Sequence, residues 1–185
     1  MGKPFVDGFL QGDRVLIEKI LLDNVELIAA KSEAFRRQTI NETQNRRGRN
    51  NAPDSGAIAL LNHETGSIGE MACAKYLNLK DHLYKDLIPI RGSVDLPPNI
   101  DVKTAHKHRH NLIVQLDEVR SKIVVHATYE GEEVQLHGWT YVSRVAKDCF
   151  IKEPVPNRAA YFVTPSVLHS MQLLKDFLID LGYSK

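Results

Sequence analysis

This chain has few of the features that assign a protein quickly to a class. Its 185 residues include only two cysteines, Cys73 and Cys149, which are too few and too far apart for a disulfide scaffold or a Cys-x-x-Cys metal knuckle. They fit a reducing compartment, with a single disulfide left open, and no neighbouring base favours a thiol nucleophile. No apolar run approaches membrane-spanning length, and the first residues lack the apolar block of a signal peptide. We therefore expect a cytoplasmic protein with no membrane partner.

The chain also lacks an excess of charge of either sign. Its 24 Lys and Arg residues against 23 Asp and Glu residues give a formal net charge of +1. Any binding to nucleic acid must therefore come from local basic patches. The remaining composition, with 43% hydrophobic and 25% charged residues, is ordinary for a globular protein. At this length the chain can build a real hydrophobic core, and we interpret residues 1–185 as one domain.

Helical spacing dominates the first part of the chain. An apolar stripe runs from Val15 to Ile28, and neither Pro nor Gly interrupts residues 13–44. The later part of this segment turns polar and basic. The pattern predicts that residues 1–50 form a helical, basic extension.

Short strands are predicted in the middle of the chain from alternation and β-branched content. They lie near residues 87–92, 99–105, 111–116, 122–130 and 133–142. A second helix is predicted near residues 68–78, before these strands, and a hairpin turn at 130–133 joins the last two strands. A further strand near 159–164 precedes a final amphipathic helix, which Gly182 is suited to end. This order predicts a sheet with helices packed on its faces, of α/β or α+β type.

An acid and an amine stand two residues apart on one predicted strand. Asp101 and Lys103 therefore point to the same face, while Ile100 and Val102 point to the other. The apolar face fits a core. The polar face indicates either an exposed ion pair, which would add little stability, or a catalytic pair.

Two further acids precede this pair in the sequence. Glu70 lies near the start of the second predicted helix, and Asp95 lies between two predicted strands. Each has a structural alternative. Ser67 and Glu70 fit a helix capping box, and Asp95 fits a turn before two prolines.

The order Glu, Asp and Asp-x-Lys resembles the PD-(D/E)XK nuclease superfamily, in the variant whose second acid is Asp. GSIGEMACAKYL is similar to that family's early helix, VDLPPNIDVKT to its acid-bearing hairpin, and VQLHGWTYVS to a later strand of some phage-type members. Val94 stands where the motif has Pro. The likeness covers roughly residues 60–145 and, more loosely, the whole chain. It implies a restriction-endonuclease-like central mixed β-sheet flanked by helices, with residues 60–145 as the catalytic core and 159–182 as the final strand and helix.

The resemblance implies a Mg²⁺-dependent deoxyribonuclease, with Mn²⁺ able to substitute. Hard divalent ions take oxygen ligands, which Asp95 and Asp101 can supply, with the Val102 carbonyl as a further ligand. Lys103 would orient the attacking water or stabilise the transition state, and Glu70 would touch the metal directly or through water. We expect an endonuclease that leaves a 5′-phosphate, and a homodimer is an arrangement that many relatives use. The alternative is a nucleic-acid-binding protein that kept this scaffold but does not cut.

Two basic segments are candidates for DNA contacts. One is the loop after the Asp-x-Lys strand, and the other is the end of the long N-terminal helix. Their residues are Lys107, Arg109, Arg36, Arg37, Arg46, Arg47 and Arg49. The loop also carries alternating His106, His108 and His110, which could bind a transition metal if they formed a strand. Gln115 follows the core motif, where some related nucleases have a helpful Gln, and its alternative is the polar face of a strand.

Overall fold

The computed structural model describes residues 16–44, 56–84, 94–106 and 111–183, which form seven β-strands and four α-helices. The strands are β1 (Glu18–Leu21), β2 (Ile100–His106), β3 (Leu112–Gln115), β4 (Ile123–Glu130), β5 (Glu133–Tyr141), β6 (Ile151–Lys152) and β7 (Ala160–Val163). The helices are α1 (Asn24–Thr43), α2 (Ala57–Tyr76), α3 (Val142–Val145) and α4 (Met171–Asp180). The predicted α/β class is confirmed at this level. None of the helices described here has the length and apolar character needed to span a membrane.

The strands form one mixed sheet and one antiparallel sheet. In the first sheet the strand order is β1-β5-β4-β2, with β2 parallel to β4 and the other neighbours antiparallel. The second sheet has the order β3-β7-β6. In the described part of the chain, β2 therefore lies at one end of the mixed sheet.

Both faces of the mixed sheet are covered, and this explains the sequence of β4. Helices α1 and α2 pack together, and α2 crosses one face of β2, where Ile68, Ile100 and Val125 belong to one core. On the opposite face Val124 packs with Val114 of β3. A strand buried on both faces has near-continuous apolar and small residues rather than strict alternation.

Most predicted strands are confirmed, with bounds within one or two residues. The hairpin between β4 and β5 is also confirmed, because Glu130 pairs with Glu133 and Gly131 takes a φ of +66°. The final helix ends before Gly182, whose φ is +76°. The strand predicted at 87–92 falls within residues 85–93, outside the described residues. Both cysteines are free thiols, so no disulfide joins them.

Two helix predictions are wrong at their starts. The continuous helix predicted from residue 13 is interrupted by β1, which pairs with β5, and α1 begins only after Asp23. Asp23 and Glu26 form the capping box there. Helix α2 begins at Ala57, well before residue 68, so Ser67 is a buried interior residue of the helix rather than its cap. The capping alternative for Glu70 is therefore removed.

Candidate active site

A tight turn places Asp95 at the outer edge of β2. The amides of Asp95 and Leu96 donate to the Ile100 carbonyl at 2.9 and 3.1 Å, and the Ile100 amide donates to the Leu96 carbonyl at 2.9 Å. The chain therefore folds back on itself within residues 95–100. As a result, Oδ2 of Asp95 accepts a hydrogen bond of 2.7 Å from the Val102 amide.

Asp101 and Lys103 lie on the same face of β2, as the alternation predicted. The Lys103 ammonium forms an ion pair with Asp101 Oδ2, and it lies 3.5 Å from Glu118 Oε2. Burial lowers the pKa of Lys103, but these two carboxylates outweigh it and raise the pKa above the usual value. Asp101 is buried, whereas Lys103 keeps part of its side chain accessible. Lys103 is therefore a charged donor that a ligand can reach.

Glu70 approaches the same strand from the face covered by α2. The close approach of α2 depends on Gly69, because a Cβ atom there would overlap the side chain of Thr104. Glu70 is buried, and both of its carboxylate oxygens accept hydrogen bonds of 2.7 Å from Arg37. The α2 helix thus brings a buried, fully paired carboxylate to the edge of β2.

The carboxylates of Glu70 and Asp101 both influence the pKa of Asp95. Burial raises the pKa of Asp95 well above its usual range, and the nearby carboxylates of Glu70 and Asp101 raise it further. The Val102 amide and the Lys103 ammonium act in the opposite direction. The structure therefore brings Glu70, Asp101 and Lys103 within electrostatic reach of Asp95.

The donor set fits Mg²⁺ with two carboxylates rather than three. Among the described residues, no three His, Cys, Asp or Glu side chains lie close enough to hold a metal ion by themselves. Mg²⁺ is usually bound through one or two carboxylates, together with waters and substrate phosphate oxygens. Asp95 and Asp101 meet this requirement, whereas Arg37 occupies both oxygens of Glu70.

A cleft of about 430 Å³ opens beside Lys103. It runs between the first half of α2, strand β2 and strand β3. Its polar lining includes Asn62, Thr65, Gln115 and His126. Gln115 and Lys103 line the same cleft, and a catalytic role of Gln115 stays a prediction.

The histidine run is only partly described. Nε2 of His106, at the end of β2, lies 3.0 Å from the Thr65 hydroxyl. His108 and His110 fall outside the described residues, so a metal site on the run stays a prediction.

The predicted DNA contacts are also only partly described. Lys107, Arg109, Arg46, Arg47 and Arg49 lie in segments that the structure leaves out. Arg36 bonds both oxygens of Glu33 at 2.7 Å, and Arg37 bonds Glu33 at 2.8 Å in addition to Glu70. Contact of Arg36 and Arg37 with phosphates stays a prediction. The geometry weighs against it for Arg37, whose guanidinium already bonds three carboxylate oxygens.

Sequence reasoning missed the buried pair behind Lys103. Glu118, in the turn after β3, is buried and accepts a hydrogen bond of 2.9 Å from the buried Lys122. Their i,i+4 spacing was a signal for this pair, although such spacing is normally interpreted on helices. Nothing local linked Glu118 to Lys103, which lies on another strand.

Comparison of this chain with models of protein families, with curated proteins and with solved structures gave no match. The functional argument therefore depends on the site itself.

Proposed function

We propose that this protein is a metal-dependent nuclease that hydrolyses DNA phosphodiester bonds with a metal-activated water. The observation that carries the proposal is the position of Asp95. Its carboxylate is bonded to the Val102 amide at the edge of β2, within electrostatic reach of Asp101, Glu70 and Lys103. Acids from a helix and a strand that act on the buried Asp95 of the turn, with Lys103 beside Asp101, suit phosphoryl chemistry better than they suit a surface ion pair.

Each residue has a defined task in this proposal. Asp95 and Asp101, with the Val102 carbonyl, would hold Mg²⁺ or Mn²⁺. When bound, the ion supplies a water of lowered pKa and neutralises charge that develops on the phosphate. Lys103 donates hydrogen bonds to the attacking water or to a phosphate oxygen, and its raised pKa keeps it charged for this task. Glu70 adds negative charge from α2 while it keeps its hydrogen bonds with Arg37.

The cleft beside Lys103 supports a nucleic-acid substrate. Its lining of amide, hydroxyl and imidazole groups offers hydrogen bonds to sugar and base atoms next to the scissile phosphate. Lys107 and Arg109 follow directly in the sequence after β2. We expect Lys107 and Arg109 to bind phosphates of the DNA backbone next to the cleft.

The test is DNA cleavage by matched carboxamide variants. Wild type should cut plasmid and linear DNA with Mg²⁺ or Mn²⁺ and should fail to cut in EDTA. Asp95→Asn and Asp101→Asn should cut at least about 100-fold more slowly, since each removes a carboxylate that would hold the ion, and loss of such electrostatic stabilisation costs about this much. Asp117→Asn, which removes an exposed carboxylate from the turn after β3, is the control and should cut like wild type. Equal cutting by Asp101→Asn and wild type would refute the proposal.

One observation favours the non-cutting alternative. Glu70 and Asp101 both have cationic partners, Arg37 and Lys103, so most of the negative charge is balanced without a metal. A silent DNA-binding protein on this scaffold would bind DNA equally well in Mg²⁺ and in EDTA. It would also bind unchanged after Asp101→Ala and show no cleavage under any condition. An electrophoretic mobility shift alongside the cleavage assay separates the two functions.

A further inference from the structure

We propose that Arg37 supplies, beside Glu70, the positive charge that a second divalent ion would otherwise supply, so that the site binds one ion only. This inference rests on the proposed function, because it concerns the same metal site. It makes Arg37 a positioning residue for Glu70 and removes Glu70 from the metal ligands.

The first support is the geometry of the Arg37–Glu70 pair. Nη1 and Nη2 of Arg37 donate to Oε1 and Oε2 of Glu70, each at 2.7 Å. This two-point arrangement matches the planar guanidinium to the planar carboxylate, which makes it the strongest kind of side-chain ion pair. These bonds use one lone pair of each Glu70 oxygen, so a metal ion would have to take one of the remaining lone pairs, beside the Arg37 charge, or displace one of these bonds.

The second support is that Glu33 and Tyr84 also contact the Arg37 guanidinium and restrict its orientation. Its Nε donates to Glu33 at 2.8 Å, and Glu33 is itself fixed by two hydrogen bonds of 2.7 Å from Arg36. The ring of Tyr84 lies 5.8 Å from the guanidinium carbon, and the Tyr84 hydroxyl donates to the Ser67 carbonyl of α2 at 2.9 Å. Helix α1 therefore presents Arg37 in one orientation to α2, so the guanidinium is costly to displace.

The third support is the charge of the site. Once a bound ion has displaced the proton of Asp95, three carboxylates, Glu70, Asp95 and Asp101, stand against two cations, Arg37 paired with Glu70 and Lys103 paired with Asp101. The balance is a net charge of −1, which one divalent ion reverses to +1. A second divalent ion would add its charge to a site that is already positive, and this is unfavourable in a partly buried position.

The experiment counts Mn²⁺ ions bound to the full-length chain without DNA, by isothermal titration calorimetry and by electron paramagnetic resonance of free Mn²⁺. Wild type should bind one ion, and Asp101→Asn should lose it. Glu70→Gln should keep one ion with a dissociation constant within about tenfold of wild type, whereas removal of a ligand itself should cost at least the roughly 100-fold that removal of a ligand's hydrogen-bond partner can cost. Circular dichroism and a thermal melt establish that each variant is folded.

The variant Arg37→Gln tests whether a second ion binds once the Arg37 charge is removed. It frees the Glu70 carboxylate, so we expect two Mn²⁺ ions per chain, and the double variant Arg37→Gln/Glu70→Gln should return to one. Lys80→Gln is the matched control, because it removes a cation from the buried Glu26 at the same α1–α2 interface and should leave one ion. If Arg37→Gln does not fold, the wild-type count and the Glu70→Gln affinity still decide the question.

The outcomes separate this inference from the function on which it rests. Two ions on wild type, or a loss of about 100-fold in affinity in Glu70→Gln, would overturn the role of Arg37 while leaving a metal-dependent nuclease in place. A single ion on a folded Arg37→Gln would overturn it as well. No Mn²⁺ on wild type would overturn both the inference and the proposed metal site.

Discussion

Gly69 of α2 lies directly against Thr104 of β2. A Cβ atom at position 69 would overlap the Thr104 hydroxyl and lie 2.8 Å from the Thr104 Cβ atom. This contact sets how closely α2 can approach the strand that carries Asp101 and Lys103. Because Glu70 is the next residue on α2, the same contact sets the distance of Glu70 from the other acids.

Gly69→Ala should therefore destabilise the protein and slow DNA cleavage. The added methyl group must push α2 away from β2, which we expect to cost about 1–3 kcal/mol of unfolding free energy. Gly66→Ala is the control for stability on the same helix, because, apart from its chain neighbours and the nearby backbone of α2, no atom of the described residues lies within 4 Å of the place its Cβ atom would take. We expect it to stabilise the protein by about 0.5–1 kcal/mol. Urea unfolding of both variants measures the difference, and equal midpoints would contradict the packing argument.

Glu118→Gln should destabilise the protein more than a comparable surface change. Glu118 and Lys122 are both buried, so neutralising the carboxylate leaves a buried ammonium without its counter-charge, at a cost of about 3 kcal/mol. Cleavage should also slow, because Lys103 loses one of its two carboxylate neighbours. Glu133→Gln, which breaks the exposed pair with Lys19, should leave the melting temperature nearly unchanged. Equal melting temperatures of Glu118→Gln and Glu133→Gln would show that the buried pair does not stabilise the protein as proposed.

The stability that Glu26 contributes should depend on acid pH. Burial opposes ionisation of Glu26, but hydrogen bonds from Lys75, the Asp23 amide and Lys80 outweigh it and lower its pKa to about 2. The folded-state pKa is below the unfolded value near 4.5, so the stabilisation is complete above pH 4.5 and is lost as the pH falls towards 2.

Glu26→Gln measures this contribution directly. At pH 7 it should lower the unfolding free energy by about 2 kcal/mol, and the gap from wild type should narrow between pH 4.5 and pH 2. Urea titrations at pH 7, 5 and 3 provide the measurement. A gap that stays constant down to pH 3 would show that the charge of Glu26 is not responsible.

The two cysteines should differ sharply in reactivity. Cys73 has no exposed surface, and burial raises the pKa of its thiol, with the carboxylates of Asp95 and Glu70 adding to the effect. Cys149 is exposed. A thiol reagent at pH 8 should therefore label one cysteine in the native protein and both in urea. Cys149→Ser should remove the native reaction, and rapid labelling of that variant would place Cys73 near the surface.

Much of the sheet was predictable from the sequence because its signals are local. Alternation located β2, β4 and β5, and a glycine with positive φ joins the last two strands where turn residues predicted a hairpin. The shared face of Asp101 and Lys103 follows from the two-residue period of any strand. The start of α2 was not predictable in this way, because α2 packs against both α1 and β2, and residues distant in the sequence supply these contacts.

By itself, the sequence determined that an acid and an amine share a strand face, and that further acids precede them in a fixed order. Only the tertiary structure decided which partner each acid has. Arg37 meets Glu70 across 33 positions of the chain, and Lys103 of β2 meets Glu118 of the turn after β3. Such pairings arise from how helices and strands pack, and the energy of a buried charge depends on its surroundings in three dimensions. No periodicity along the chain encodes those surroundings.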